Sequence, residues 1–102
     1  MTIATNDYAG LRYFIDWFYD PSLDWEEIQG LVEGTVSGFI AGAKPATISE
    51  ATADLDRLLD SNEDAPSIFD WFVRIGRGSV VNPENPREQL SQFRDLLRKA
   101  IE

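Results

Sequence analysis

Apolar residues recur at helical spacing in five stretches of this chain, each bounded by a capping residue, a proline or a glycine. The first stretch runs from about Tyr8 to Tyr19, behind Asn6 or Asp7 as a cap. Leu11, Phe14, Ile15 and Phe18 lie on one side and Tyr13 and Trp17 on another, leaving Arg12, Asp16 and Asp20 as a narrow polar stripe. A helix apolar nearly all round is central in its fold or also serves an interface. Pro21 ends it by disfavouring helix at Asp20.

Asp24 opens the second stretch, with Glu27 three residues on completing a capping box. Trp25, Ile28, Val32, Val36 and Phe39 share an inward face before Gly42 and Pro45 stop the helix. Thr47-Ile48-Ser49-Glu50 reads as another capping box, and Ile48, Ala51, Leu55, Leu58 and Leu59 follow as the buried face. Arg57, Asp54, Asp56 and Asp60 are expected to point outward. The fourth helix is read from about Pro66 to Ile75, capped by Asp64 and stopped by Gly76, and it buries Ile68, Trp71, Phe72 and Ile75. Gly76 to Asn85 is the longest irregular stretch, in which Val80-Val81 has the character of a short extended piece without a partner strand. Asn85-Pro86-Arg87-Glu88 then supplies a cap, a first-position proline and a third-position acid. Leu90, Phe93, Leu97 and Ile101 line one side of the last helix, with Arg94, Arg98 and Lys99 toward its C-terminal end. The expectation is an all-α fold, a compact bundle of about five helices in a single domain over 1–102.

Composition removes several classes of chemistry. The 102 residues contain no cysteine and no histidine, so thiolate sites, disulfides and imidazole bases or ligands are excluded. No cofactor and no metal are expected, and the chain is read as a non-enzyme. Met1 to Gly10 has neither a basic segment nor an apolar run, and no stretch of about 18 apolar residues occurs, so a cytoplasmic protein without membrane contact is expected. The net charge of −9 is unevenly placed. Up to Asp64 there are 13 acidic and 3 basic residues; from Ala65 onward there are 5 acidic and 6 basic. Such a field repels nucleic acid and attracts basic surfaces.

Several constellations invite a chemical reading and fail it. Asp60-Ser61-Asn62-Glu63-Asp64 starts like a calcium loop, but Ala65 replaces the required glycine and Trp71 stands where a bidentate acid belongs. A solvated interhelical turn accounts for it better. Gly76-Arg77-Gly78-Ser79 lacks the lysine and the preceding strand of a phosphate loop. Asp16 and Asp20 are one turn apart, but carboxylate-pair catalysis needs a cleft that a small helical domain does not supply. Gly30, Gly34 and Gly38 repeat every fourth residue, each costing about 1 kcal/mol in a helix interior. A close neighbour is the favoured reason for them; local softness or a partner contact is the other.

What remains is the coincidence of aromatics and acids. Tyr13, Trp17 and Tyr19 share a helix with Asp16 and Asp20, and Asp24, Trp25, Glu26 and Glu27 follow directly. Phe14, Phe18 and Trp25 are expected in the core, whereas Tyr13, Trp17 and Tyr19 are balanced between core and interface. Aromatic anchors supply binding energy and surrounding acids steer a basic partner. The candidate partner-binding residues are Tyr13, Asp16, Trp17, Asp20 and Asp24, with Asp60, Glu63 and Asp64 of the acidic turn.

Leu11-x-x-Phe14-x-x-x-Phe18-Tyr19-Asp20 followed by Asp24-Trp25-Glu26-Glu27 resembles the opening of small acidic immunity proteins from bacterial contact-dependent growth inhibition systems. The leucine-rich helix around Leu55 to Leu59, the glycine-containing loop at Gly76 and the final amphipathic helix from Leu90 to Ile101 extend that likeness over most of the chain. The loop Arg77-Gly78-Ser79-Val80-Val81-Asn82-Pro83 departs from the tyrosines and prolines often found there in the group. The resemblance implies a cytoplasmic protein that binds and neutralises a cognate toxin domain, in many cases a nuclease; the acidic excess up to Asp64 adds the expectation that it does so by covering a basic active site. The alternative is a helical adaptor or regulatory subunit for an unrelated basic protein.

Overall fold

The computed structural model describes residues 3–101; Met1, Thr2 and Glu102, the ends of the expected 1–102 domain, lie outside the described residues. Six α-helices follow one another without a strand among the described residues: α1 (Ala9–Asp16), α2 (Trp25–Gln29), α3 (Val32–Gly42), α4 (Pro45–Asp60), α5 (Ala65–Arg74) and α6 (Pro86–Ile101). A 3₁₀ turn over Gly78–Val80 lies between the last two. The all-α bundle is therefore as expected, with the second stretch divided in two.

The helix α4 packs between α1 and α6, and α6 also meets α3 and α5. Phe14 of α1 is the hub of the core, with ring centroids 5.0 Å from Phe18, 4.9 Å from Phe39 and 5.4 Å from Phe93. Edge-to-face contacts of this kind add to plain area burial. Trp71, Phe72, Leu55, Leu58 and Leu90 extend the same buried cluster.

Four local departures from the sequence reading have physical causes. The first helix ends at Asp16 rather than Tyr19, because Trp17, Phe18 and Tyr19 donate their backbone N–H groups to Phe14, Ile15 and Asp16 in tighter i→i+3 turns. That tightening turns Phe18 inward, stacked on Phe93 at 4.8 Å, and turns Trp17 and Tyr19 outward. Second, neither Asn6 nor Asp7 caps α1. Its cap position is Tyr8, in the left-handed region (φ 59°) without a side-chain cap bond, and the Leu11 N–H instead donates to Asp54 Oδ2 of α4 at 3.0 Å. Third, the Asp24–Glu27 capping box forms, but α2 stops at Gln29 and α3 restarts at Val32. Fourth, α4 begins at Pro45, one turn earlier than the Thr47 box suggested, with extended Lys44 at the cap.

Asp64 caps α5 as expected by accepting from Ser67 N–H at 2.9 Å. At the other end Gly76 takes a positive φ of 76°, Gly76 N–H donates to Val73 O and Arg77 N–H to Phe72 O at 2.8 Å. This Schellman closure needs a residue tolerant of the left-handed region, and glycine supplies it. The following loop is pinned: Val80 closes the 3₁₀ turn and Val81 is extended, both are buried, and Gln89 donates to Val80 O while accepting from Asn82 N–H.

Candidate functional site

The helix α1, the turn after it and the start of α3 place three aromatics and a leucine at the surface: Tyr13 is 52% exposed, Trp17 43%, Tyr19 38% and Leu31 53%. Tyr13 and Trp17 both rest on buried Phe39, at 6.2 and 5.5 Å between centroids. Trp17 lies across the end of α3, where a Cβ on Gly42 would come within 3.3 Å of its ring. Tyr13 walls an open groove of about 500 Å³ with Gly10, Gly42, Lys44, Thr47 and Glu50. Trp17 itself lines a smaller pocket of about 220 Å³ together with Tyr19, Asp20, Leu23, Leu31 and Thr35. Tyr13 and Trp17 thus share the Phe39 platform, and Trp17 and Tyr19 share the smaller pocket.

The acids are deployed differently from one another. Asp16 accepts from Arg77 Nε at 3.0 Å, and the Arg77 guanidinium also stands 4.0 Å from the centroid of Tyr19. Asp20 is not on α1; its Oδ1 accepts from the Ser22 hydroxyl at 2.7 Å and the Ser22 N–H at 2.9 Å. These two bonds hold its carboxyl below the usual carboxylate range, the hydroxyl contributing most. Asp24 and Asp64 are helix caps, and the bond from Ser67 N–H likewise lowers the Asp64 carboxyl. Asp60 is exposed and Glu63 half-buried. The Asp60–Asp64 turn sits between α4 and α5, a separate element from the aromatic patch.

Two expectations from the sequence are corrected, one for Trp25 and one for the glycine repeat. Trp25 is only partly buried and borders a surface pocket with Gln29, Asn82 and Glu88 instead of filling the core. Gly34 and Gly38 have no atom within 4 Å of where a Cβ would lie, and Gly30 meets only its own helix at 3.5 Å, so close packing is not their reason.

The structure also reveals residues that the sequence did not single out. Arg87 donates to the carbonyls of Leu59, Ser61 and Glu63, so a guanidinium from α6 fixes the acidic turn through its backbone. Asp54 serves α1 as a cap donated by another helix, and Arg57 pairs with it at 3.4 Å while lying 4.5 Å from the centroid of Tyr8. Burial raises the Tyr8 hydroxyl above its ordinary value, partly opposed by the Arg57 charge. Asp56 of α4 pairs with Arg94 and Arg98 of α6. A proline at the first turn of α6 hinted at Arg87's place, but not at its acceptors.

The arginines are hydrogen-bonded or ion-paired within the molecule, and the buried Nε of Arg94 lies in ion-pair range of Asp56 and Asp95 without a hydrogen-bond partner. Arg12 donates to Thr5 O and Arg74 to Asp70 and Ile3 O, alongside those already described. Glu26, Glu27 and Glu33, by contrast, take part in no ion pair among the described residues. No group of three or more potential metal-ligating side chains comes together among the described residues, and no helix there is long and apolar enough to cross a membrane.

No family model, curated protein or solved structure matches the chain.

Proposed function

We propose that the chain is an immunity protein that binds a basic bacterial toxin domain and covers its active site. The observation that carries this reading is the exposed Tyr13–Trp17–Tyr19–Leu31 patch on an acidic molecule whose arginines are already engaged internally. Solvated aromatics of this size are a cost to a chain that works alone and become anchors once a partner desolvates them. The unpaired acids supply the long-range attraction, and a nuclease, which must itself carry a basic substrate channel, is the toxin class that this charge fits best.

Affinity capture of the tagged protein from its source bacterium tests the reading. The expected catch is the C-terminal toxic domain of a large secreted protein, lost as salt is raised, whose purified activity is abolished by a stoichiometric amount of this chain. Stable capture of a resident cellular complex, with no toxin neutralised, would reject immunity in favour of an adaptor.

A further inference from the structure

The pocket between the turn after α1 and the start of α3 has two chemical parts. Its apolar and aromatic walls include Trp17, Tyr19, Leu23 and Leu31, with Thr35 of α3, and Asp20 also lines it. Arginine is the side chain that answers both: its methylene stem lies along apolar surface while its planar head seeks an aromatic face and a carboxylate. The molecule already displays this pairing beside the pocket, where Arg77 stacks on Tyr19 and bonds Asp16. The Schellman closure at Gly76 fixes the backbone of Arg77, so that guanidinium belongs to the fold. The Asp20 carboxylate has no such internal cation; it accepts only from Ser22 among the described residues.

We infer that this pocket receives an arginine side chain of the partner, with its stem against Trp17 and Leu31 and its guanidinium on the Asp20 carboxylate. The inference rests on the reading of the chain as a binder of a basic protein, and it assigns that partner's anchor residue. Charge complementarity selects the occupant: α2 and its flanks add Asp24, Glu26, Glu27 and Glu33 in the neighbouring sequence, and Arg77, the cation against Tyr19, is already paired with Asp16. An aliphatic or phenyl anchor would fill the walls but leave Asp20 unanswered. A lysine would answer the charge but not the aromatic faces as well.

The test needs no partner. The ¹⁵N-labelled protein is titrated with N-acetyl-arginine amide and, separately, with N-acetyl-lysine amide, both at constant ionic strength. Perturbations centred on the Trp17 indole N–H and on the amides of Tyr19, Leu31 and Thr35 are expected, saturating at lower concentration for arginine than for lysine. Asp20→Asn keeps a carbonyl for Ser22 and removes only the charge; it should weaken arginine binding at least threefold, while Asp60→Asn leaves it unchanged. Shifts spread evenly over the acidic surface, shifts centred elsewhere, equal response to lysine, or indifference to Asp20→Asn would each overturn the assignment. Were Asp20→Asn to unfold, the wild-type map and the arginine–lysine comparison still decide. Because no toxin enters the experiment, its failure leaves the immunity reading standing, and loss of the immunity reading leaves the guanidinium site measurable.

Discussion

Among single residues, the arginines and caps carry the local order. Arg87 satisfies three carbonyls at the end of α4 and the turn beyond it, groups that a helix terminus otherwise leaves open. Arg87→Ala should lower stability by about 1.5–3 kcal/mol, the range for hydrogen bonds to a charged group. Arg87→Lys should recover only part of the loss, since one ammonium cannot span three acceptors with a planar fork's geometry. Urea unfolding of the three proteins checks both statements. Asp64 makes a different prediction because its carboxyl titrates lower in the folded chain than in the unfolded one. The unfolded state then binds more protons, so this stability is present above the ordinary carboxylate pKa of about 4 and drains away as pH falls through the depressed folded value. Asn caps helices about as well as Asp. Asp64→Asn should therefore match wild type near neutrality and lose less stability on acidification below about pH 4, read from melting curves across that range.

At the scale of elements, the glycine of α1 and those within α3 have opposite meanings. A Cβ on Gly10 of α1 would lie 2.9 Å from the backbone carbonyl carbon of Glu50 in α4, so these helices touch only because the side chain is absent. Gly10→Ala must push α1 from α4 and should cost about 1–3 kcal/mol, the usual range for overpacking. A fall in Tm of roughly 4–8 °C per kcal/mol is the measure for a domain near this size. Gly34→Ala and Gly38→Ala meet open space and should each stabilise α3 by up to about 1 kcal/mol. If either raised stability while weakening partner capture, the glycines would belong to the docking face; stability gained without loss of binding would assign them no role there.

The sequence made the helices legible and their ends less so, for reasons these elements display. Ile28, Val32, Val36 and Phe39 keep an unbroken helical period, so the pattern reads through Gly30-Leu31 even though the chain breaks there. Periodicity registers which side faces inward and is blind to a short slip that preserves that side. The same blindness hid the unwinding at Trp17, because Phe18 stays buried by turning. The Asp24 and Asp64 caps were readable because their bonds are made within three residues. Asp54 capping α1 from 43 residues away, and Arg87 gathering carbonyls 24 to 28 residues away, leave no local signal. The aromatic half of the candidate patch was legible for a related reason: one helix cannot bury residues on every side, so Tyr13 and Trp17 were available for exposure from the start. The Asp60–Asp64 turn looked equivalent only because charge, unlike surface position, is visible in a sequence.

For the whole molecule, salt should act with opposite signs on folding and on association. Net charge −9 makes the isolated chain repel itself. Against that stand ion pairs such as Arg98–Asp56 and Arg74–Asp70, partly or largely exposed and worth about 0–1 kcal/mol each. Screening removes both contributions, but the repulsion is summed over many unpaired acids and the attractions over a few adjacent groups. Moderate added NaCl should accordingly raise the melting temperature of the free chain. The same ions shorten the Debye length from about 10 Å at 0.1 M to about 3 Å at 1 M, which weakens the pull on a basic partner before contact is made. The association rate should then fall by about tenfold or more over that range, with little change in dissociation if Tyr13, Trp17 and Leu31 hold the complex once formed. Stopped-flow mixing with the captured toxin domain separates the two rates. A salt effect confined to dissociation would place the acids inside the contact rather than around it, and a melting temperature that fell with salt would show that the internal arginine pairs outweigh the repulsion they sit within.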